Sequence, residues 1–206
     1  MKKRIKLTAI ILATVLALGA VAGGIYLYKK NANKLTNEEA KQILDDLIPK
    51  AEKINGIIWG KGLPVENGTL PALDSVTTAQ YRTVDSACGY GKVEDLRKAV
   101  SEVYSERYIE TGINYTAFDG ATDENGTEYS ISPRYTDNND GRLCIDITNS
   151  GFNLDTKIST DKTEVKSCDF DKVTVEVKAT VSGMEVPLDI TLVKQENGWR
   201  LDTPTY

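Results

Sequence analysis

The sequence predicts an α+β domain held behind an N-terminal transmembrane helix, with amphipathic helices packed on a curved antiparallel β-sheet. Three observations predict it. An uncharged run of 22 residues, Leu7 to Tyr28, lies between basic flanks. Two later stretches carry apolar residues at helical spacing. The last third alternates apolar and polar residues between turn-forming pairs, which is the pattern of half-buried strands.

The first element is "LTAIILATVLALGAVAGGIYLY", preceded by "MKKRIK" and followed by "KK". About 20 such residues span a bilayer core as a helix, and Tyr26 and Tyr28 stand where interfacial aromatics collect. Lys2, Lys3, Arg4 and Lys6 precede the run, against Lys29, Lys30 and Lys34 after it, which orients the N-terminus inside and the remainder outside. A cleaved signal peptide is the alternative, because Ala20-Val21-Ala22 fits a small-x-small cleavage pattern. Either reading exports the rest of the chain. Residues 1–30 therefore form a membrane anchor or signal peptide with a basic cytoplasmic tip, 31–35 a linker, and 36–206 an extracytoplasmic domain. The localisation expected is a single-pass protein of the plasma membrane, or a secreted one if the segment is removed.

The domain opens on a helix. Thr36 with Glu39 three residues later is a capping-box pair, and Leu35 is placed to staple the entry. Ala40, Ile43, Leu44, Leu47, Ile48, Ala51, Ile54 and Ile58 recur on one stripe. Pro49 either kinks this helix or opens a second one at its first turn. "GKGLPVENGTLPALD" follows as a loop rich in Gly and Pro, and "YRTVD" reads as a short strand. "GKVEDLRKAVSEVYSERYIETG" reads as a second amphipathic helix, with Val93, Leu96, Val100, Val103, Tyr104 and Tyr108 on one face and Gly112 as its stop. Residues 114–140 are polar and rich in turns.

The strands come last. "RLCIDIT", "TEVKSC", "KVTVEVKATV", "MEVPLDITLVK" and "GWRLD" alternate, and Ser182-Gly183 supplies a tight turn between the two longest. Val173, Val175, Val177, Ala179 and Val181 share one face, and Val186, Leu188, Ile190 and Leu192 repeat the pattern. Trp199 and Leu201 face opposite to Arg200 and Asp202, so the indole is expected beneath the helices.

Composition excludes several chemistries. The chain has no histidine, which removes Ser-His-Asp and Cys-His nucleophile systems and imidazole metal sites. Its three cysteines, Cys88, Cys144 and Cys168, are too scattered for a metal knuckle. Alternation places Cys144 and Cys168 on polar faces, which makes them a candidate disulfide, although free thiols are the default expectation. "DNNDG" at Asp137–Gly141 fails the calcium-loop spacing, because the sixth position is Arg142 and the twelfth Asn149, and reads as a polar hairpin turn. "GYGK" at Gly89–Lys92 lacks the glycines of a phosphate loop and reads as a helix entry. Asn67, Asn114 and Asn125 begin glycosylation-type triplets. Six of the 25 basic residues precede residue 31, whereas all 30 acidic residues follow it, so the exported part carries about eleven excess negative charges. Such a surface repels nucleic acid and draws basic partners or divalent cations. No cofactor or metal site is predicted.

The ending "LVKQENGWRLD", with the order of helices before a meander over residues 36–206, resembles the cystatin-like folds of the nuclear-transport-factor-2-like (SnoaL-like) superfamily. The resemblance implies a conical pocket between helices and sheet, in members that are enzymes or binding and accessory domains. Enzymes on this fold use a pocket His or Asp with Tyr; this chain has no His, and Asp146 and Asp189 alternate to the polar face, so no catalytic residue carries over. Tyr81-Arg82 and Val103-Tyr104 also resemble segments of exported inhibitors of Gram-positive cell-wall DL-endopeptidases, which implies a partner whose cleft is plugged.

Trp59, Tyr81, Tyr104, Tyr108, Tyr135 and Trp199 are the candidate pocket aromatics, with a packed core as their alternative role. The function expected is a non-catalytic, membrane-anchored binding or accessory domain of a Gram-positive cell envelope, with a protein or small-ligand partner outside the cell. The alternatives are an inhibitor or regulator of a secreted cell-wall hydrolase and a small pocket enzyme working without His.

Overall fold

The computed structural model describes residues 34–66, 79–121, 131–152 and 154–206. The expected anchor Leu7–Tyr28 lies outside the described residues, as do the triplets at Asn67 and Asn125. Among the described residues no helix is long and apolar enough to cross a membrane.

Helix α1 is Asn37–Ile58. It starts where the capping box predicts: the Glu39 amide donates to Thr36 Oγ1 (3.2 Å) and the Thr36 amide to Glu39 Oε2 (2.8 Å). Pro49 neither divides nor ends it. An internal proline costs about 3 kcal/mol. Leu44, Leu47, Ile48, Ile54, Ile57 and Ile58 are all buried along the helix, and each such side chain contributes roughly 1.5–3 kcal/mol. Burial wins.

Among the described residues the strands form two antiparallel sheets where the sequence predicts one. The small sheet has the order β1-β3-β2, from Tyr81–Thr83, Leu143–Asp146 and Tyr135–Asp137. The large one is a meander, β4-β5-β6-β7, from Lys157–Asp169, Lys172–Val181, Met184–Gln195 and Gly198–Leu201. Ser182 and Gly183 both have positive φ (50° and 81°), as a two-residue hairpin turn of the primed type requires. Val173, Val175, Val177, Ile190 and Leu192 bury against α1 in one apolar cluster.

The second helix is shorter than its apolar stripe predicts. Helix α2, Val93–Ser101, ends before Val103. The chain then runs beside β7: the Leu201 amide donates to Val103 O (2.9 Å) and the Ser105 amide to Leu201 O (2.8 Å). Ser105 caps a new turn, α3 (Glu106–Tyr108), by accepting from the Tyr108 amide. Gly112 does not stop it, for π-helical turns continue at Ile109–Ile113 and Tyr115–Asp119. The edge of β7 offers backbone partners that a continuing helix would leave unpaired.

Candidate functional site

The six candidate aromatics do not meet in one pocket. Trp59 is buried and stacks on Tyr206, with ring centroids 5.1 Å apart. Tyr81 is half-buried and donates to Pro133 O (2.6 Å). Tyr104 and Tyr108 are buried against each other, with centroids 5.1 Å apart. The Tyr104 hydroxyl donates to Asn55 Oδ1 (2.6 Å), and Thr205 Oγ1 lies 2.9 Å from both Tyr104 Oη and Asn55 Nδ2. Tyr135 is buried and donates to Ile57 O (3.0 Å). The Trp59, Tyr104, Tyr108 and Tyr135 rings belong to the core, whereas Tyr81 is half-buried outside it with its hydroxyl held by Pro133 O.

Their electrostatics agree with that role. Burial pushes the Tyr104 and Tyr135 hydroxyls up to about 12, and it raises Tyr108 as well. A phenol kept protonated at neutral pH donates hydrogen bonds and is a poor general base.

Two buried carboxylates escape the alternation reading, which faces Asp146 and Asp202 outward. Asp146 Oδ1 accepts from the Gln80 amide (3.0 Å) and from the Thr148 amide and hydroxyl (2.9 and 2.7 Å). Asp202 accepts from the Ser105 hydroxyl and from Arg107, whose Nη2 lies 2.5 Å from Oδ2. Lys172 Nζ stands 3.8 Å away. Both carboxylates tie neighbouring segments together. Asp189, by contrast, is exposed as its parity predicts.

The cysteines require a further correction. Cys88, Cys144 and Cys168 are free thiols, and the candidate pair sits on different sheets. Cys144 is buried because β3 is the middle strand and all four of its residues are covered. Cys168 turns inward because the β4 register shifts between Val165 and Ser167, and such a bulge reverses the faces beyond it. Both Val165 and Cys168 therefore pack on the core.

The other motifs have structural roles. The Gly91 and Lys92 amides of "GYGK" donate to Asp95 Oδ2 (2.8 and 3.0 Å). Asn138 Oδ1 in "DNNDG" accepts from the amides of Asp140 and Arg142, closing a turn. Among the described residues no group of three or more Cys, Asp or Glu could hold a metal ion.

Trp199, like Tyr81, is only half-buried. It shares the helix-facing side with Leu201, but Leu201 is fully covered and Trp199 only half-buried. The register explains this: Leu192 pairs with Leu201 under the helix, whereas Lys194 pairs with Trp199 near the hairpin end. Lys194 Nζ lies 5.3 Å from the indole centroid, within cation–π range. Leu35, Ile43 and Leu47 of the α1 flank and Trp199 line an open groove of about 660 Å³. A cleft of about 1170 Å³ continues from it around the β6–β7 turn, sharing Glu102, Asn197 and Arg200 with the groove. Parity placed Trp199 on the correct side, but only the fold shows that the ring stops at the rim. No family model matches the chain, and no curated protein matches it.

Proposed function

We propose that the domain binds a protein partner along the groove beside Trp199 and that residues 1–30 hold it at the outer face of a membrane. The carrying observation is the half-buried indole beside Leu35 and Ile43 at the mouth of an open groove. Aromatic rings at a concave, partly apolar surface are typical anchors for a partner side chain. The buried tyrosines and carboxylates, by contrast, have their polar atoms engaged in holding the fold. A long helix lying on a four-stranded meander also supports the cystatin-like reading of the domain.

Anchorage bears on the same groove. Leu35 lies seven residues beyond Tyr28, and seven extended residues reach at most about 25 Å. In the anchored form the groove thus stands near the membrane surface and meets partners held there.

Two measurements test this. Protease added to intact cells should remove the domain if it lies outside. A photo-crosslinking side chain at position 43 should yield a defined adduct in cells, whereas one at position 184, on the exposed tip of the β5–β6 hairpin, should not. Adducts from position 184 alone, or from both equally, would refute the groove as the binding surface.

A further inference from the structure

The groove reading leaves the partner's chemistry open, and the charges along the cleft narrow it. Glu102, Glu106, Glu110 and Glu196 line the larger cleft. None of the four is in an ion pair among the described residues. The two linings together hold six carboxylates, with Glu39 and Asp46, against four cations, so their balance is acidic, and three of the cations are held by neighbouring groups of the protein. Lys50 is paired with Asp46 (2.7 Å). Arg200 donates to the carbonyls of Ser101 (2.7 Å) and Trp199 (2.9 Å). Lys194 lies over the indole. Among the described residues, Lys98 is the remaining cation of the lining.

We propose that the occupant is an extended basic segment of a partner protein, with one apolar side chain against Leu35, Ile43 and Trp199 and its Lys or Arg side chains along Glu102, Glu106 and Glu110. This rests on the reading of the groove as a binding surface. The apolar floor fixes position, and the carboxylate stripe selects charge. Glu106, on α3, and Glu110, on the π-helical turn that follows, are four residues apart and both line the cleft. Alternate side chains of an extended chain fall on one side at roughly 6.6 Å intervals, which lets successive basic residues of the segment face this wall. The acidic excess of residues 31–206 steers such a segment towards the cleft and speeds its capture.

The test uses the full chain in lipid nanodiscs and three synthetic peptides, followed by calorimetry and Trp fluorescence. The first has one Leu followed by alternating Lys and Ser. The second carries Glu in place of Lys, and the third Ser in place of Leu. The first should bind saturably, the second at least tenfold more weakly, and the third severalfold more weakly. Raising salt from about 20 to 300 mM should weaken the first at least tenfold, since exposed charge pairs are screened. Each exposed pair is worth roughly two- to fourfold, so the triple variant Glu102→Gln, Glu106→Gln, Glu110→Gln should lose about tenfold or more. All three positions are exposed, and an unchanged thermal midpoint would show that the variant still folds. Equal binding of the Glu and Lys peptides, an unaffected triple variant, or no binding of the Lys peptide overturns the proposal. The crosslink at position 43 judges the groove independently, so a basic-partner failure and a groove failure give different results.

Discussion

Arg134 is the residue whose removal most directly tests how the small sheet is joined to the end of α1. It is only 1% exposed. Its Nη1 donates to Ile58 O (2.9 Å) and its Nη2 to Gly60 O (2.5 Å), while Tyr135 Oη donates to Ile57 O. The last turn of α1 has no basic residue of its own. A dipeptide from β2 and its approach thus supplies both the cation and the donors that the helix end needs. Replacing Arg134 by Met keeps much of the bulk and removes both donors. Hydrogen bonds from a charged donor are worth roughly 1.5–3 kcal/mol each, and a cation at a partly buried helix C-terminus adds up to about 2 kcal/mol. Against this stands the desolvation of a guanidinium whose Nε has no partner, and burial lowers the Arg134 pKa. Exchanging a buried charge for an apolar group can be neutral when all its partners leave too. Here the carbonyls stay buried and unpaired. A net loss of about 3 kcal/mol is therefore expected for Arg134→Met, and less for Arg134→Lys, which keeps the charge but not the fork. Equilibrium urea unfolding measures it, and a loss below about 0.5 kcal/mol would refute the capping argument.

Three further outcomes follow from the same geometry. Gly151→Ala should cost about 2–4 kcal/mol, because φ is +69° and a Cβ would lie 1.9 Å from Gly60 O; an unchanged unfolding midpoint would contradict that approach. Stability should hold from neutral pH to about pH 10 and fall as pH rises towards 12. The folded Tyr104 and Tyr135 pKa values are raised from 10 to about 12, so folding favours their protonated forms and that stability is lost through the folded pKa; a flat urea midpoint up to pH 12 would contradict it. Thiol titration of the native protein should label Cys88 and Cys168 before the buried Cys144, and mass spectrometry should find no Cys144–Cys168 bond; finding that bond in the native protein would move Cys168 from the place described.

Much of this fold is legible wherever one local rule acts alone. The Thr36–Glu39 pair and the apolar stripe locate α1, and alternation with Ser182-Gly183 locates β5 and β6. Legibility fails where two elements compete for the same backbone or face. One shift in β4 reverses Cys168, which no count of alternation reveals. Asp146 and Asp202 have outward parity, yet Gln80 and Thr148 cover the first and Ser105 with Arg107 the second. Arg134 stands in a stretch that reads as polar turns, and its helix-capping role depends on α1, about 75 residues earlier in sequence. For the site, the side of the sheet taken by Trp199 is legible, whereas its place at the rim depends on how far α1 reaches.

The interruption of the second helix links these points. Val100, Val103, Tyr104 and Tyr108 satisfy a helical stripe, and all four are buried, so apolar spacing alone cannot distinguish a continuous helix from a broken one. The break joins residues 103–105 to β7 and lets Ser105 reach Asp202, with Arg107 on the next turn. It also leaves Glu102 and Glu106 on either side of the junction, both lining the cleft beside Arg200. The strap that closes the core therefore also shapes the acidic wall. A substitution that restored a continuous helix would remove the backbone partners on the outer edge of β7 and disturb that wall together, so core stability and recognition at the groove are coupled through the same three residues.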